Sequence, residues 1–172
     1  MHPLVFQDDA RESIARMKEA GCDLFVFGLQ TANPGISKKI NRSPEEAQAL
    51  EKIIRLAHGA GIMTAVDFIL GFPGETRNTI NENIDFALSA SPYLVNFHPL
   101  RLEPGSQLAR DYEDRCSSFS QEELLGLCRT ANRRFYFNVK NLLKIACFLL
   151  KNNPLALLRM RKLSALLRHY AK

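Results

Sequence analysis

The chain has 172 residues, 46% of them hydrophobic and 24% charged, which suits one domain with a real core and excludes a disordered polymer. No run of about 20 uncharged apolar residues occurs, so no membrane span is expected, and the opening MHPLVFQDD lacks the basic-then-apolar pattern of a signal peptide. The net charge of +5 hides a split: residues 1–123 carry 12 Lys+Arg against 18 acids, whereas residues 124–172 carry 11 Lys+Arg and no acid. So sharp an asymmetry marks a change of role near residue 120.

Residues 8–20 place Ile14 and Met17 at helical spacing, and Gly21 stops the run. DLFVFGL (23–29) is aromatic and β-branched and reads as a buried strand. A short helix is expected over 34–40. SPEEAQALEKIIRLAHGAG then opens with Ser43 as cap, Pro44 in the first turn and Glu46 completing a capping box. IMTAVDFIL (62–70) is the second strand, Thr76 to Ala90 the next helix, and YLVNF (93–97) the third strand. Helix and strand alternate, which predicts right-handed crossovers and a parallel sheet. Three strands cannot close a barrel, so the pattern is part of a larger α/β barrel over 1–110. Helices over 120–136, 139–151 and 154–170 make 111–172 a basic, all-helical region, with Pro154 separating the last two.

In parallel α/β folds, ligands sit beyond the carboxyl ends of the strands. Gln30, in FGLQTANPG, offers a donor and an acceptor suited to sugar hydroxyls, or else caps the strand end. Arg42 can fork onto a carboxylate, or stand as a surface arginine. Asp67 opens DFILGFPGET, so a carboxylate leads an apolar run. Buried there it needs partners, from ligand hydroxyls or from Arg42. In the turn that follows, Glu75 or Thr76 caps the next helix. HPLRLEPGS adds His98, Arg101 and Glu103, with His98 either a ligand or acid/base group or an ordinary loop residue. Cys22, Cys116, Cys128 and Cys147 are separated by 94, 12 and 19 residues, spacings that match no common metal or redox motif. They are expected to be reduced thiols of a cytoplasmic protein, Cys22 a packed one, and no metal ligands are assigned.

GCDLFVFGLQTANPGISKKINR followed by AGIMTAVDFILGFPGET, and then LEPGS, resembles the second half of the radical S-adenosylmethionine (radical SAM) core over about residues 8–110. The resemblance implies a partial parallel (β/α) barrel of that type. From its coproporphyrinogen-dehydrogenase-like branch it implies Gln30 and Asp67 at the ribose of S-adenosylmethionine (SAM), Arg42 at its carboxylate and Ile69 at the adenine. Thr31 stands where other members have serine. The C-x3-C-x2-C motif that holds a [4Fe–4S] cluster is absent from this sequence, as are the first three strands. The resemblance therefore implies a carboxyl-terminal fragment, inactive alone, of a full-length enzyme that cleaves SAM with such a cluster and acts on an organic or lipid-like small molecule. No catalytic residue is assigned. RRFYFNVKNLLK is similar to tails of cobalamin-binding radical SAM proteins, which implies cobalamin in the full-length protein.

The basic tail has three readings: helices packed on the barrel, an interfacial segment on anionic membrane, or a nucleic-acid contact. The last lacks a stacking platform, since aromatic interleaving stops at Phe148 and Tyr170. The alternative to an enzyme fragment is a non-catalytic interaction protein that uses this tail.

Overall fold

The computed structural model describes residues 2–6, 9–112 and 118–152; Cys116 and the helix expected over 154–170 lie outside the described residues. Strands β1 (Leu24–Gln30), β2 (Met63–Leu70) and β3 (Leu94–Pro99) form a parallel sheet in the order β1-β2-β3. Helix α1 (Ala10–Glu19) leads into β1. Helices α2 (Pro34–Lys39) and α3 (Glu46–Gly59) join β1 to β2, and α4 (Arg77–Ala90) joins β2 to β3. Helices α5 (Gln107–Tyr112), α6 (Gln121–Tyr136) and α7 (Val139–Asn152) follow. The α/β architecture expected from the alternating pattern is the one observed.

Two elements escape the sequence reading: a 3-10 turn at Pro3–Phe6, and α5, which is only six residues long. The largest shift at a helix start is at α3. Helix α3 starts at Glu46, three residues after the expected cap. Glu46 does reach back to accept the Ser43 N–H at 3.1 Å, but the Ser43 hydroxyl turns to the Glu45 N–H at 3.3 Å instead of closing the box.

Alternation along the strands gives the sheet two unlike faces. Phe25, Phe27 and Leu29 of β1, Val66, Phe68 and Leu70 of β2, and Val95 and Phe97 of β3 turn to the helices and are buried. Phe68 and Phe97 stack there, with ring centroids 4.9 Å apart. Ile14, Leu50, Ile54, Ile80 and Ile84 complete the core from the helices. The opposite face carries no such cover: Leu24 is 44% and Val26 45% exposed. On that face Gly28, Asp67 and Asn96 stand in register.

Helix α6 seals the outer edge of β3. Its Tyr136 hydroxyl donates to Val95 O at 2.8 Å and accepts the Val95 N–H at 3.1 Å. One helical turn earlier, Asn132 accepts the Phe97 N–H at 3.2 Å and donates to Phe97 O at 3.4 Å. Side chains at i and i+4 thus occupy the backbone groups a further strand would use. Leu124, Cys128, Ala131 and Phe135 bury the same helix in the main core.

Helix α7 is fixed at the end of α4. Ser91 closes α4 in the left-handed conformation, at φ 50°. Lys144 Nζ donates to Ser91 O at 2.5 Å, to Ser91 Oγ at 2.7 Å and to Pro92 O at 2.5 Å, where the helix dipole favours a cation. Burial lowers the Lys144 pKa to about 8.

Candidate functional site

The site is built at the carboxyl ends of the strands, beginning with β1. The register of β1 against β2 slips between Gly28 and Gln30. Gln30 takes φ 70°, and the Thr31 N–H donates to Leu29 O at 2.9 Å across it. A non-glycine residue held this way carries about 1–3 kcal/mol of strain and persists only where its surroundings fix it. Asn83 of α4 does so, because its Oδ1 accepts the Thr31 hydroxyl at 3.1 Å and the Ala32 N–H at 2.6 Å. Thr31 is buried, and its hydroxyl also accepts the Asn33 N–H at 3.2 Å, so it belongs to the scaffold. Gln30 Oε1 is buried with no donor among the described residues. That lone pair is the kind of defect that folded proteins rarely leave without a purpose.

Asp67 lies between Gly28 and Asn96 in register. It accepts Asn96 Nδ2 at 2.7 Å, and His98 Nε2 stands 4.0 Å away. The expected alternative of Arg42 as its partner is not realised. Asn96, two residues before His98 on the same face of β3, takes that role. Asn96 Oδ1 is itself buried without a donor among the described residues.

The turn after β2 explains the glycines of GFPGET. Glu75 folds back into it, accepting the Gly71 N–H at 2.5 Å, the Phe72 N–H at 3.1 Å and Asn83 Nδ2 at 3.4 Å. Burial pushes the Glu75 carboxyl above its ordinary value while these N–H groups pull it down. Thr76 is the residue that caps α4, in a reciprocal pair with Thr79. Gly71 takes φ +107°, and a Cβ there would lie 2.7 Å from Leu124 Cδ1. The turn must therefore stay bare for α6 to dock on it.

Arg42 is delivered by the end of α2, where Asn41 turns left-handed and the Arg42 N–H returns to Ser37 O at 2.9 Å. Its Nε and Nη2 donate to Glu46 Oε2 at 2.9 and 2.6 Å, and Nη2 also donates to Gly28 O at 2.7 Å. The buried Glu46 takes the Ser43 N–H and His2 Nε2, each at 3.1 Å, on its other oxygen. The guanidinium thus ties α3 to the end of β1.

Gln30, Asp67 and Ile69 line one open cleft of about 520 Å³, together with His98, Pro99, Leu100 and Arg101. Ile69 packs at its floor against the small cluster of Ile36, Phe72 and Leu100. Arg42 is not in the lining; its Nη2 donates to Gly28 O at the end of β1. Three of the four residues singled out from the sequence therefore share a cleft, and the fourth braces it. Asn96 and Asn83 were missed. Asn96 shows the same signal as Asp67, a polar residue inside an apolar strand.

Among the described residues the cysteines do not converge. Cys128 is buried, its thiol pushed up to about 12 by burial and by the Glu75 charge, while Cys22 donates to Leu24 O at 3.6 Å and Cys147 is exposed. Among the described residues no three His, Cys, Asp or Glu side chains gather around a common point. A [4Fe–4S] cluster does not fit these residues.

Residues 3–87 match the family model of the Radical SAM superfamily. The chain is 28% identical over 153 residues to an uncharacterized methyltransferase of Pyrococcus horikoshii, a match covering 77% of this chain and 33% of that protein. It is 25% identical over 104 residues to bacteriochlorophyllide d C-12(1)-methyltransferase of Chlorobaculum tepidum, covering 60% and 23%. The chain thus spans about a third or less of these relatives. Two solved structures share its fold. Coproporphyrinogen III oxidase (HemN) from Escherichia coli, a radical SAM enzyme, aligns with TM-score 0.63 at 16% identity over 76% of this chain and 30% of that one. The radical SAM methyltransferase TsrM from Kitasatospora setae, with cobalamin and a [4Fe–4S] cluster bound, aligns with TM-score 0.57 at 23% identity over 63% and 21%.

Proposed function

We propose, for a chain whose residues 3–87 belong to the Radical SAM superfamily, that the cleft at the strand ends holds the nucleoside part of SAM. One observation carries this reading: two buried amide oxygens, on Gln30 and Asn96, flank Asp67 and lack donors among the described residues. A ribose offers two adjacent hydroxyls, each a donor. Asp67 Oδ1 is engaged by Asn96, which steadies the carboxylate and leaves Oδ2 for one hydroxyl. Gln30 Oε1 takes the other. Ile69 gives the purine an apolar floor. Arg42 keeps Nη1 for the ligand carboxylate, while its other nitrogens hold Glu46 and Gly28.

The chain's own residues bind and orient; none of them supplies redox chemistry. In an enzyme of the superfamily an iron–sulfur cluster would supply the redox chemistry, and this sequence carries no C-x3-C-x2-C motif to hold one. By itself this chain is a SAM-holding part of such an enzyme and is inactive. The methyltransferases among its relatives support methyl transfer to an organic substrate as the reaction of the whole protein, and the TsrM likeness supports cobalamin there. No described helix is long and apolar enough to cross a membrane.

Equilibrium dialysis with adenosine tests the reading, because every nucleoside contact assigned here lies within the chain. Asp67→Ala and Gln30→Ala each weaken binding about tenfold or more, the usual effect of losing a hydrogen bond to a charged or buried partner. Leu24→Ser, lower on the same face, leaves it unchanged. Equal affinities for wild type and Asp67→Ala would remove the assignment.

A further inference from the structure

Helix α7 shows the body one face and solvent another. Asn141, Lys144 and Phe148 turn inward: Asn141 Nδ2 donates to Phe135 O at 3.0 Å, Lys144 holds the end of α4, and Phe148 packs on Tyr93 with centroids 4.6 Å apart. The outward face is apolar where a surface helix should be polar. Val139 is 68%, Leu142 40% and Leu143 61% exposed, at spacings i, i+3 and i+4, and Phe137 just before them is 67% exposed. Lys140 flanks this stripe on the exposed side.

We propose that this face docks on the surface of an anionic lipid membrane. A contiguous exposed apolar stripe marks an interaction surface. Charge selects the partner: the described residues 124–148 carry Arg129, Arg133, Arg134, Lys140 and Lys144 with no acid, Lys140 beside the stripe itself, and residues 124–172 as a sequence carry 11 Lys+Arg and no acid, so a negative surface fits this end of the chain. A symmetric pairing with a second copy of the chain would bring the same positive region against it. Nucleic acid supplies the charge but offers the aliphatic side chains nothing to bury in. An anionic bilayer offers both, with headgroups for the cations and an acyl boundary for Phe137, Val139, Leu142 and Leu143. No described helix can span, so α7 lies in the interface plane. Its inward face is already bonded to the body, so docking needs no unfolding. This surface is independent of the nucleoside cleft and stands on different residues.

Co-sedimentation of the whole chain with vesicles tests it, using phosphatidylglycerol–phosphatidylcholine mixtures against phosphatidylcholine alone. Partition onto the anionic vesicles is at least about tenfold higher, as several cations near a negative surface require. It falls as salt rises from about 0.1 to about 1 M and the screening length shrinks from about 10 to about 3 Å. Val139→Glu combined with Leu143→Glu lowers partition at least about tenfold, with the melting temperature unchanged because both positions are exposed. Lys140→Glu, which touches no packed contact, provides a second arm and lowers it about fivefold. Four results overturn the proposal: no partition onto either vesicle, equal partition onto both, partition indifferent to these substitutions, or a wild-type dimer in sedimentation equilibrium that Leu143→Glu dissolves.

Discussion

The two faces of one three-stranded sheet obey different rules. On the helix side the strand positions from Phe25 to Phe97 are closed from water and all apolar except Thr64, which meets His58. On the other side the lower half is apolar but open, at Leu24 and Val26, and the upper half is polar, at Gln30, Asp67 and Asn96. The first face is what makes the chain fold. The second is where burial has been given up, and the orphaned amide oxygens sit there. The contrast teaches that packing and the cleft's polar groups fall on alternate residues of the same strands, a division the period-two geometry makes available.

Substitutions on the two faces should therefore separate cleanly. Phe68→Ala removes a fully buried ring stacked on Phe97 and costs about 3–5 kcal/mol. Leu24→Ala costs under about 1 kcal/mol, because its side chain is already half in water. Urea unfolding measures both, and similar losses would erase the distinction.

Tyr136→Phe comes next. It strips the Val95 N–H and C=O of their outer partner and costs about 1–3 kcal/mol. It also reopens the β3 edge, so light scattering at raised concentration should increase. A variant as stable and as monodisperse as wild type would mean that the edge is not sealed there.

A pH effect belongs to the helix side. His58 donates or accepts at Thr64 Oγ1, 2.9 Å away, and burial together with the Lys144 charge lowers its pKa from 6.5 to about 4. Below pH 6.5 the unfolded chain takes up a proton that the folded chain refuses. The melting temperature accordingly falls between pH 6.5 and 4, and His58→Gln flattens that part of the profile. A profile identical in the two proteins would exclude His58 as the cause.

The smallest effect has the most informative sign. Gln30→Gly relieves the positive φ and raises stability by no more than about 1 kcal/mol, while adenosine binding is lost. Destabilisation by this change would show that the Gln30 side chain serves the fold rather than the cleft.

The sheet was legible because its signals are local. Phe25, Phe27 and Leu29 announce a strand, and Gly21, Gly59 and Gly61 punctuate the helices around it. All three strands fall within two residues of their expected bounds. Three of the site residues were legible through a resemblance in motif order, not through spacing alone. What escaped depends on contacts between distant segments. Glu75 or Thr76 reads as the helix cap; Thr76 takes that place, and Gly71 and Phe72 capture Glu75 within the turn. Arg42 reads as a fork for a carboxylate or as a surface arginine, and the carboxylate that holds it is Glu46, four residues on. Asn83 sits mid-helix with no local mark, and only the fold brings it under Thr31 and Ala32.

Amide chemical-shift mapping with millimolar adenosine probes the cleft directly, in the isotope-labelled chain and in Asp67→Ala. The expected map centres on Gln30, Asp67 and Ile69 and on the turn at Gly71 and Phe72, and it vanishes in Asp67→Ala. Shifts confined to other parts of the chain, or a map that survives the loss of the Asp67 carboxylate, would contradict nucleoside binding at these strand ends.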